Sequence, residues 1–370
     1  MLGKIQAEQR PMARASEIIF LGSDIFRGSV YGRGHPLNIA RVWPVIDISR
    51  HLGWLDDRHY VDVPPASAEQ LHLFHSPDYV QALLDAEANQ CLDEPRAERH
   101  RIGRDNNPIF PQVYSRPATA AHASLIGADL LLSRQAGIVF NPSGGTHHGF
   151  PDRANGFCFV NDPVLGLLRL KQGGAEKIAY IDIDAHHPDG VEASLSSDPV
   201  FRLFSIHEEN RWPRTGQNGS RGGGYARNFT LNRGASDTDF LRICEGCILP
   251  ELDEFCPDVL VLQAGCDGLS EDPQSGLCLT NHGYWAAVRM FLDMGLPSLI
   301  LGGGGYNPFT TARAWTGVWG IIAGQHPETT LLPEASRQLL TSLDWSHRRN
   351  RTPNPQWFDR LYDERGVELR

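Results

Sequence analysis

Asp182-Ile183-Asp184-Ala185-His186-His187-Pro188-Asp189 concentrates carboxylates and imidazoles in one short stretch. The residues leading into it, Ile178-Ala179-Tyr180-Ile181, are apolar, as in a strand buried within a parallel sheet. In an extended chain Tyr180, Asp182, Asp184 and His186 share one face, and Ile181 and Ile183 the other. Acids and imidazoles at the end of a buried strand are costly unless they are paired or bind a metal. This stretch therefore predicts a metal or acid/base site at a strand terminus. Asp267, in Gly265-Cys266-Asp267-Gly268, joins Asp184 and His186 as a third candidate ligand. Three protein ligands with one position left open are what a catalytic zinc takes. Asp-x-His alone reads more readily as a structural ion pair, and the second strand-end aspartate argues for metal.

Adjacent histidines stand in Gly144-Gly145-Thr146-His147-His148-Gly149. Alone they read equally as helix caps or as partners for backbone groups. Asp182 and Asp189 change that reading, because each can accept the proton-bearing nitrogen of one histidine, fix its tautomer and raise its basicity. A metal, water and a histidine base form a hydrolytic arrangement. Tyr306 follows Gly302-Gly303-Gly304-Gly305. A tyrosine there can simply pack, but a glycine run permits close backbone approach, and a phenol aimed at the metal can hydrogen-bond a developing oxyanion.

These groups need strands to hold them. Apolar runs predict strands at 17–22, 136–140, 178–183, 200–206, 258–262 and 297–301. Periodic segments predict helices at 38–51, 67–73, 77–86, 115–135, 163–171, 237–255, 281–294, 308–323 and 333–342, with Ser67 and Ser76 as N-caps. Residues 90–113 read as a long surface loop. Strands alternating with helices imply a mainly parallel sheet covered on both faces. The unusual polar residues follow strands: His147 and His148, Asp184 and His186, His207, Asp267, and Tyr306. In open parallel sheets the ligand crevice lies beyond the carboxyl ends of the strands, so these segments are expected to converge. Because the motifs interlock, one domain is expected over 1–370, with a core at 17–325 and a C-terminal extension at 343–370.

Composition sets the class. The net charge of -10 argues against a nucleic-acid binder. Seven scattered cysteines suit a reduced, cytoplasmic protein rather than a disulfide framework. Cys244 and Cys247 form a lone CxxC that reads as helix packing. No run is long and apolar enough to span a membrane, and a homo-oligomer stays open.

Read together, these residues resemble the zinc-dependent histone deacetylases and their bacterial acetoin-utilisation and acetylpolyamine amidohydrolase relatives. The resemblance runs from about Tyr31 to Tyr306. It rests on Gly34-His35-Pro36 with Arg41, Gly145-Thr146-His147-His148, Gly156-Phe157-Cys158-Phe159, the Asp182–Gly190 stretch, Gly265-x-Asp267 and Gly303-Gly304-Gly305-Tyr306. It implies an arginase/deacetylase-like α/β fold and hydrolysis of an acylated amine. Asp184, His186 and Asp267 would hold Zn2+, with Fe2+ as the alternative. His148 with Asp189 would be general base and then acid, and His147 with Asp182 an electrostatic partner. Tyr306 would stabilise the oxyanion. Gly156, Phe157, Trp212, Gln274 and Gly304 would contact substrate, with Phe157 and Trp212 as tunnel walls and Gln274 at the rim. Arg41 would lie near an inner channel for the released acid. A structural K+ would sit among backbone oxygens of Asp182, Asp184, His186 and Ile206 and the Ser205 hydroxyl. The chain departs from the family at Pro188, where a glycine is usual, and in the segment 207–214.

Acetyl-lysine in a protein or peptide is the leading substrate class. An acetylpolyamine or another small amide is the alternative, favoured electrostatically by Glu208-Glu209 near the tunnel mouth. A dinuclear hydrolase and a non-enzymatic acyl-lysine binding module are the remaining readings.

Overall fold

The computed structural model describes residues 17–28, 31–32, 34–345 and 351–364. Eight strands form one sheet: β1 (Ile18–Gly22), β2 (Tyr60–Asp62), β3 (Ile138–Asn141), β4 (Ile178–Asp182), β5 (Phe201–Glu208), β6 (Ala226–Leu231), β7 (Val259–Gln263) and β8 (Ser298–Leu301). The order is β2-β1-β3-β8-β7-β4-β5-β6, and every pairing is parallel. All carboxyl ends therefore open on one edge, as the expected arginase/deacetylase-like α/β architecture requires.

Burial on both faces explains the near-continuous apolar strands. In β4, Ala179 and Ile181 enter one core with Phe204, Leu262 and Ile300. Ile178 and Tyr180 enter the other with Val139, Leu203, Val261 and Leu299. The first core is closed by helices that include Val42–His51, Asn281–Leu292 and Pro308–Ile322, and the second by Ser115–Leu132 and Asp162–Gln172. Among the described residues no helix is long and apolar enough to cross a membrane.

Local signals act as expected at several ends. Ser67 and Gln70 form a capping box, and the Ser76 hydroxyl accepts from Tyr79 N. The helix expected over 237–255 carries a π-helical turn at Cys244–Ile248. Pro250, just beyond, has no N–H and crowds the carbonyl four residues back, which breaks the regular ladder. Cys244 and Cys247 stand on that turn, and none of the seven cysteines forms a disulfide among the described residues.

Two strands and three helices, Ile25–Gly28, Glu94–His100 and Asp189–Leu195, depart from the expectations. β2 and β6 lie at the sheet edges, where half-polar sequences hide the strand signal. Residues 90–113 carry a helix at Glu94–His100, capped by Asp93 and with Pro95 in its first turn. Beyond that helix, Asn107 is buried and its Oδ1 accepts from Phe157 N at 2.9 Å. The segment thus braces a candidate site residue.

Candidate functional site

β4 ends at Asp182, and the next residues turn Asp184 and His186 toward Asp267, which follows β7. Candidate ligand atoms of Asp184, His186 and Asp267 all lie within 4.8 Å of one another, and the three residues are buried. His186 Nδ1 stands 3.1 Å from Asp184 Oδ1 and 2.8 Å from Asp267 Oδ2. Backbone N–H groups take the outer lone pairs: Ala185 N donates to Asp267 Oδ1, and Gly304 N to Asp184 Oδ2. Asp267 Oδ2 is buried with no hydrogen-bond partner. An orphaned carboxylate oxygen converging with an imidazole nitrogen and a second carboxylate fits a divalent cation.

Electrostatics agrees. Burial works against ionised Asp184, but the His147 and His186 charges outweigh it and hold this carboxyl low. Burial and the Asp184 charge push Asp267 up. Burial disfavours a proton on His186, yet the two carboxylates raise its pKa to about 10. A dication would take the place of that proton.

The two histidines occupy the turn after β3. His147 Nδ1 lies 2.8 Å from Asp182 Oδ2, and His148 Nδ1 lies 2.6 Å from Asp189 Oδ1. Tyr180 donates its phenol to Asp182 at 2.5 Å, and Asn155 Nδ2 donates to Asp189 at 3.1 Å. With both Nδ1 atoms facing carboxylates, the Nε2 atoms meet at 2.9 Å. One of them must carry a proton, because two lone pairs would repel at that distance. Burial alone would lower His147, but Asp182 and Asp184 raise it to about 9. Burial and the His147 charge lower His148 to about 4, against the pull of Asp189. The shared proton therefore resides on His147, leaving His148 the neutral base.

Pro188 does not disturb this pairing. Its φ of -78° suits proline, and it immediately precedes the helix Asp189–Leu195, whose first residue reaches His148.

Tyr306 is buried at the end of the glycine run after β8. Burial and the charges of Asp267 and Asp184 hold its hydroxyl far above the usual phenol range, so it remains a donor. Its backbone is pinned on both sides: Tyr306 N donates to Asp272 Oδ2 at 2.7 Å, and Trp345 Nε1 donates to Tyr306 O at 3.1 Å.

One cavity is lined by His147, His148, Gly156, Phe157, Asp184, His186, Gly304 and Tyr306. Gly156 and Phe157 both have positive φ, 52° and 69°, in a tight turn closed by reciprocal Asn155–Cys158 hydrogen bonds. That geometry is that of a type I′ turn and thrusts the Phe157 ring to 6.1 Å from Tyr306. Trp212 is 43% exposed and meets His148 edge-on at 4.6 Å. A Cβ on Gly156 would collide with the Trp212 ring, so Trp212 covers this turn.

Other candidates are placed differently. Gln274 is half-buried with its N–H on Asp272, and it does not line the cavity. Gly304 lines the cavity but also carries the N–H bonded to Asp184. A Cβ there would fall on Asp267 Oδ2 and 2.6 Å from Asp184 Oδ2. Gly304→Ala is expected to weaken metal binding about tenfold or more with an unchanged circular-dichroism spectrum, as read by metal titration of chelated protein. Ser205 pairs with Asp182 across β4 and β5, and its hydroxyl meets His207 Nδ1 at 2.8 Å. His207 belongs to β5 rather than to a segment beyond it. It is buried against His187 and bonded to Gly216 O, so it leaves the crevice. Glu208 is also buried, paired to Arg211 and accepting from Gly276 N.

Sequence reading missed the braces. Asp162 accepts from Gly145 N, Thr146 N and Ser124 Oγ, fixing the turn that leads into the histidines. Gln263 Oε1 accepts from Gly265 N. For Asp272 the only available signal was an Asp-Pro shortly after Asp267.

Comparison with known proteins accords with this geometry. Residues 35–322 match the family model described as the histone deacetylase domain. Histone deacetylase 8 of Xenopus tropicalis is 34% identical, over 74% of this chain and 75% of that protein. The acetoin utilization protein AcuC of Bacillus subtilis (strain 168) is 31% identical, over 85% and 84%. The crystal structure of an HDAC homolog from Aquifex aeolicus superposes with a TM-score of 0.88 at 32% identity, covering 94% of this chain and 95% of that one. With strand order, strand-end residues and long-range identity in agreement, the chain belongs to the histone deacetylase family.

Proposed function

We propose that the chain is a metal-dependent amide hydrolase that removes an acetyl or related acyl group from an acylated amine, with acetyl-lysine in proteins or peptides as the leading substrate. The observation that carries this reading is the facing His147–His148 pair beside the buried Asp184–His186–Asp267 trio, with both histidines, Asp184 and His186 lining one cavity. Asp184, His186 and Asp267 would hold Zn2+, which would supply Lewis acidity toward the carbonyl and the attacking water, and Fe2+ suits the same donors.

The chain's own residues supply the rest. Neutral His148 takes a proton from water as oxygen bonds to the carbonyl carbon, and Asp189 stabilises the imidazolium that forms. His147 keeps its proton, and its positive charge favours the negative charge that develops on the oxygens of the tetrahedral intermediate. Tyr306 donates to the carbonyl oxygen as it becomes an oxyanion. His148 then gives its proton to the leaving nitrogen, the C–N bond breaks, and carboxylate and amine result. Phe157, Trp212 and Gly156 flank the aliphatic stem, with Gln274 farther out. K+ among the Asp182, Asp184, His186 and Ile206 carbonyls and Ser205 would brace the β4 end from below. Seven cysteines with no disulfide among the described residues suit a reducing compartment, and we place the enzyme in the cytoplasm.

The polyamine alternative loses its main electrostatic support, because the Glu208 charge is matched by Arg211 at the surface end of β5. Comparing kcat/KM for acetyl-lysine peptides and acetylpolyamines on metal-defined enzyme tests the choice, and a polyamine preference would reverse it. Tyr306→Phe is expected to lower kcat about a hundredfold with little change in KM. Full activity in that variant would remove the oxyanion role.

A further inference from the structure

A run of four glycines sets few limits on its own path, and Tyr306 stands at the end of one. Gly303 and Gly305 have positive φ, 139° and 148°, so no local preference fixes where the phenol points. A donor to an oxyanion must be placed closely, because a displacement of about 1 Å can cost about a hundredfold in rate. The constraint on Tyr306 has to come from outside the run.

It comes from two sides. Tyr306 N donates to Asp272 Oδ2 at 2.7 Å, and the other oxygen of that carboxylate accepts from Gln274 N at 2.8 Å. Tyr306 O accepts from Trp345 Nε1 at 3.1 Å. Asp272 and Trp345 are both buried. The two bonds hold the peptide groups on either side of the Tyr306 Cα, and with those fixed the phenol moves only by side-chain rotation.

Trp345 lies outside residues 35–322, the part of the chain that matches the histone deacetylase domain. Its place is nevertheless firmly set. Phe309 meets Trp345 edge-on at 5.9 Å and stacks with Trp357 at 6.0 Å. Buried Arg313 donates to Arg360 O and to Asp363 Oδ1, each at 2.9 Å. Phe309 and Arg313 belong to the helix Pro308–Ile322, which begins two residues after Tyr306. The C-terminal segment is thus bound to the helix that Tyr306 leads into, and Trp345 reaches back from it. A buried indole needs an acceptor in any case, and a bond made only for that purpose would serve stability rather than Tyr306.

We propose that Asp272 and Trp345 are positioning residues that together clamp Tyr306, aiming its phenol at the oxyanion, and that Trp345 makes the C-terminal segment part of the hydrolytic site. This rests on the amide-hydrolase reading above and on the oxyanion role of Tyr306 within it.

The test is a pair of double-mutant cycles on an acetyl-lysine peptide with metal-defined enzyme. Trp345→Phe keeps an aromatic ring and removes the donor. Asp272→Asn keeps one oxygen and leaves one of the two N–H groups without its acceptor. Each is expected to lower kcat about tenfold, with KM and bound metal close to wild type. In a Tyr306→Phe background each should change kcat less than about twofold, because no hydroxyl remains to be aimed. Equal losses in both backgrounds overturn the proposal and assign the two residues to general packing. Wild-type kcat in both variants overturns it too. If one variant does not fold, the other cycle decides. Slow Tyr306→Phe beside fast clamp variants removes only the clamp. Tyr306→Phe as fast as wild type removes the oxyanion role and the clamp with it, and a wild type that turns over no acylated peptide removes the parent reading as well.

Discussion

Asp267→Asn should lower kcat/KM by at least about a thousandfold, the equivalent of about 4 kcal/mol of transition-state stabilisation, and should leave less than one equivalent of metal on the purified chain. The argument is one of charge. Asp184 and Asp267 place two buried carboxylates beside one imidazole, a donor set that a dication neutralises when His186 is uncharged. Asparagine keeps an oxygen in place but removes one of the two negative charges. The same charges predict a proton count. With His186 held at about 10 by the carboxylates, metal-free protein at neutral pH carries a proton there that a metal must displace. Zinc titration at pH 7 should therefore release close to one proton per chain, measured calorimetrically in buffers of different ionisation enthalpy. Release should fall in Asp267→Asn, because the second carboxylate that raises His186 is gone. Wild-type metal content and activity in that variant would exclude Asp267 as a ligand.

How much of this site could be read from the chain depends on where each residue sits. Asp184, His186, Asp267 and Tyr306 were legible because each closes an apolar run, and burial makes a polar group at such a position anomalous. β1, β3, β4, β7 and β8 were legible for the same reason, since both of their faces are covered. β6 was not: Arg227, Asn228 and Thr230 face partly polar surroundings at the sheet edge, and no period survives. His207 misled because it follows an apolar run that does not end there; β5 continues to Glu208 and carries the imidazole into the network of His187 and Ser205. The braces were hidden for another reason. Asp162, Asn107 and Asp272 act on backbone N–H groups roughly 16 to 50 residues away, and no local pattern encodes such partners.

The dyad yields the second large effect. His148→Ala is expected to reduce kcat by about 10²–10⁴ while metal content stays at the wild-type level. His147→Ala should cost less, because it removes a charge rather than the base. The pH profile distinguishes the two roles. Facing Nε2 atoms at 2.9 Å make the pair active with one shared proton, so its titrations belong to the pair. Activity should fall at low pH as a second proton reaches His148, whose pKa is depressed to about 4, and at high pH as the shared proton leaves His147, raised to about 9. A bound dication lowers both limbs without reversing their order. In His147→Ala the neighbouring positive charge is gone, so His148 accepts a proton more readily and the acidic limb moves to higher pH. Asp189→Asn removes the carboxylate that favours the His148 imidazolium, so its acidic limb should move to lower pH, with kcat reduced about ten- to a hundredfold. These opposite shifts from two neighbours of one imidazole identify His148 as the titrating base. Matching shifts in both variants would assign the limb to another group.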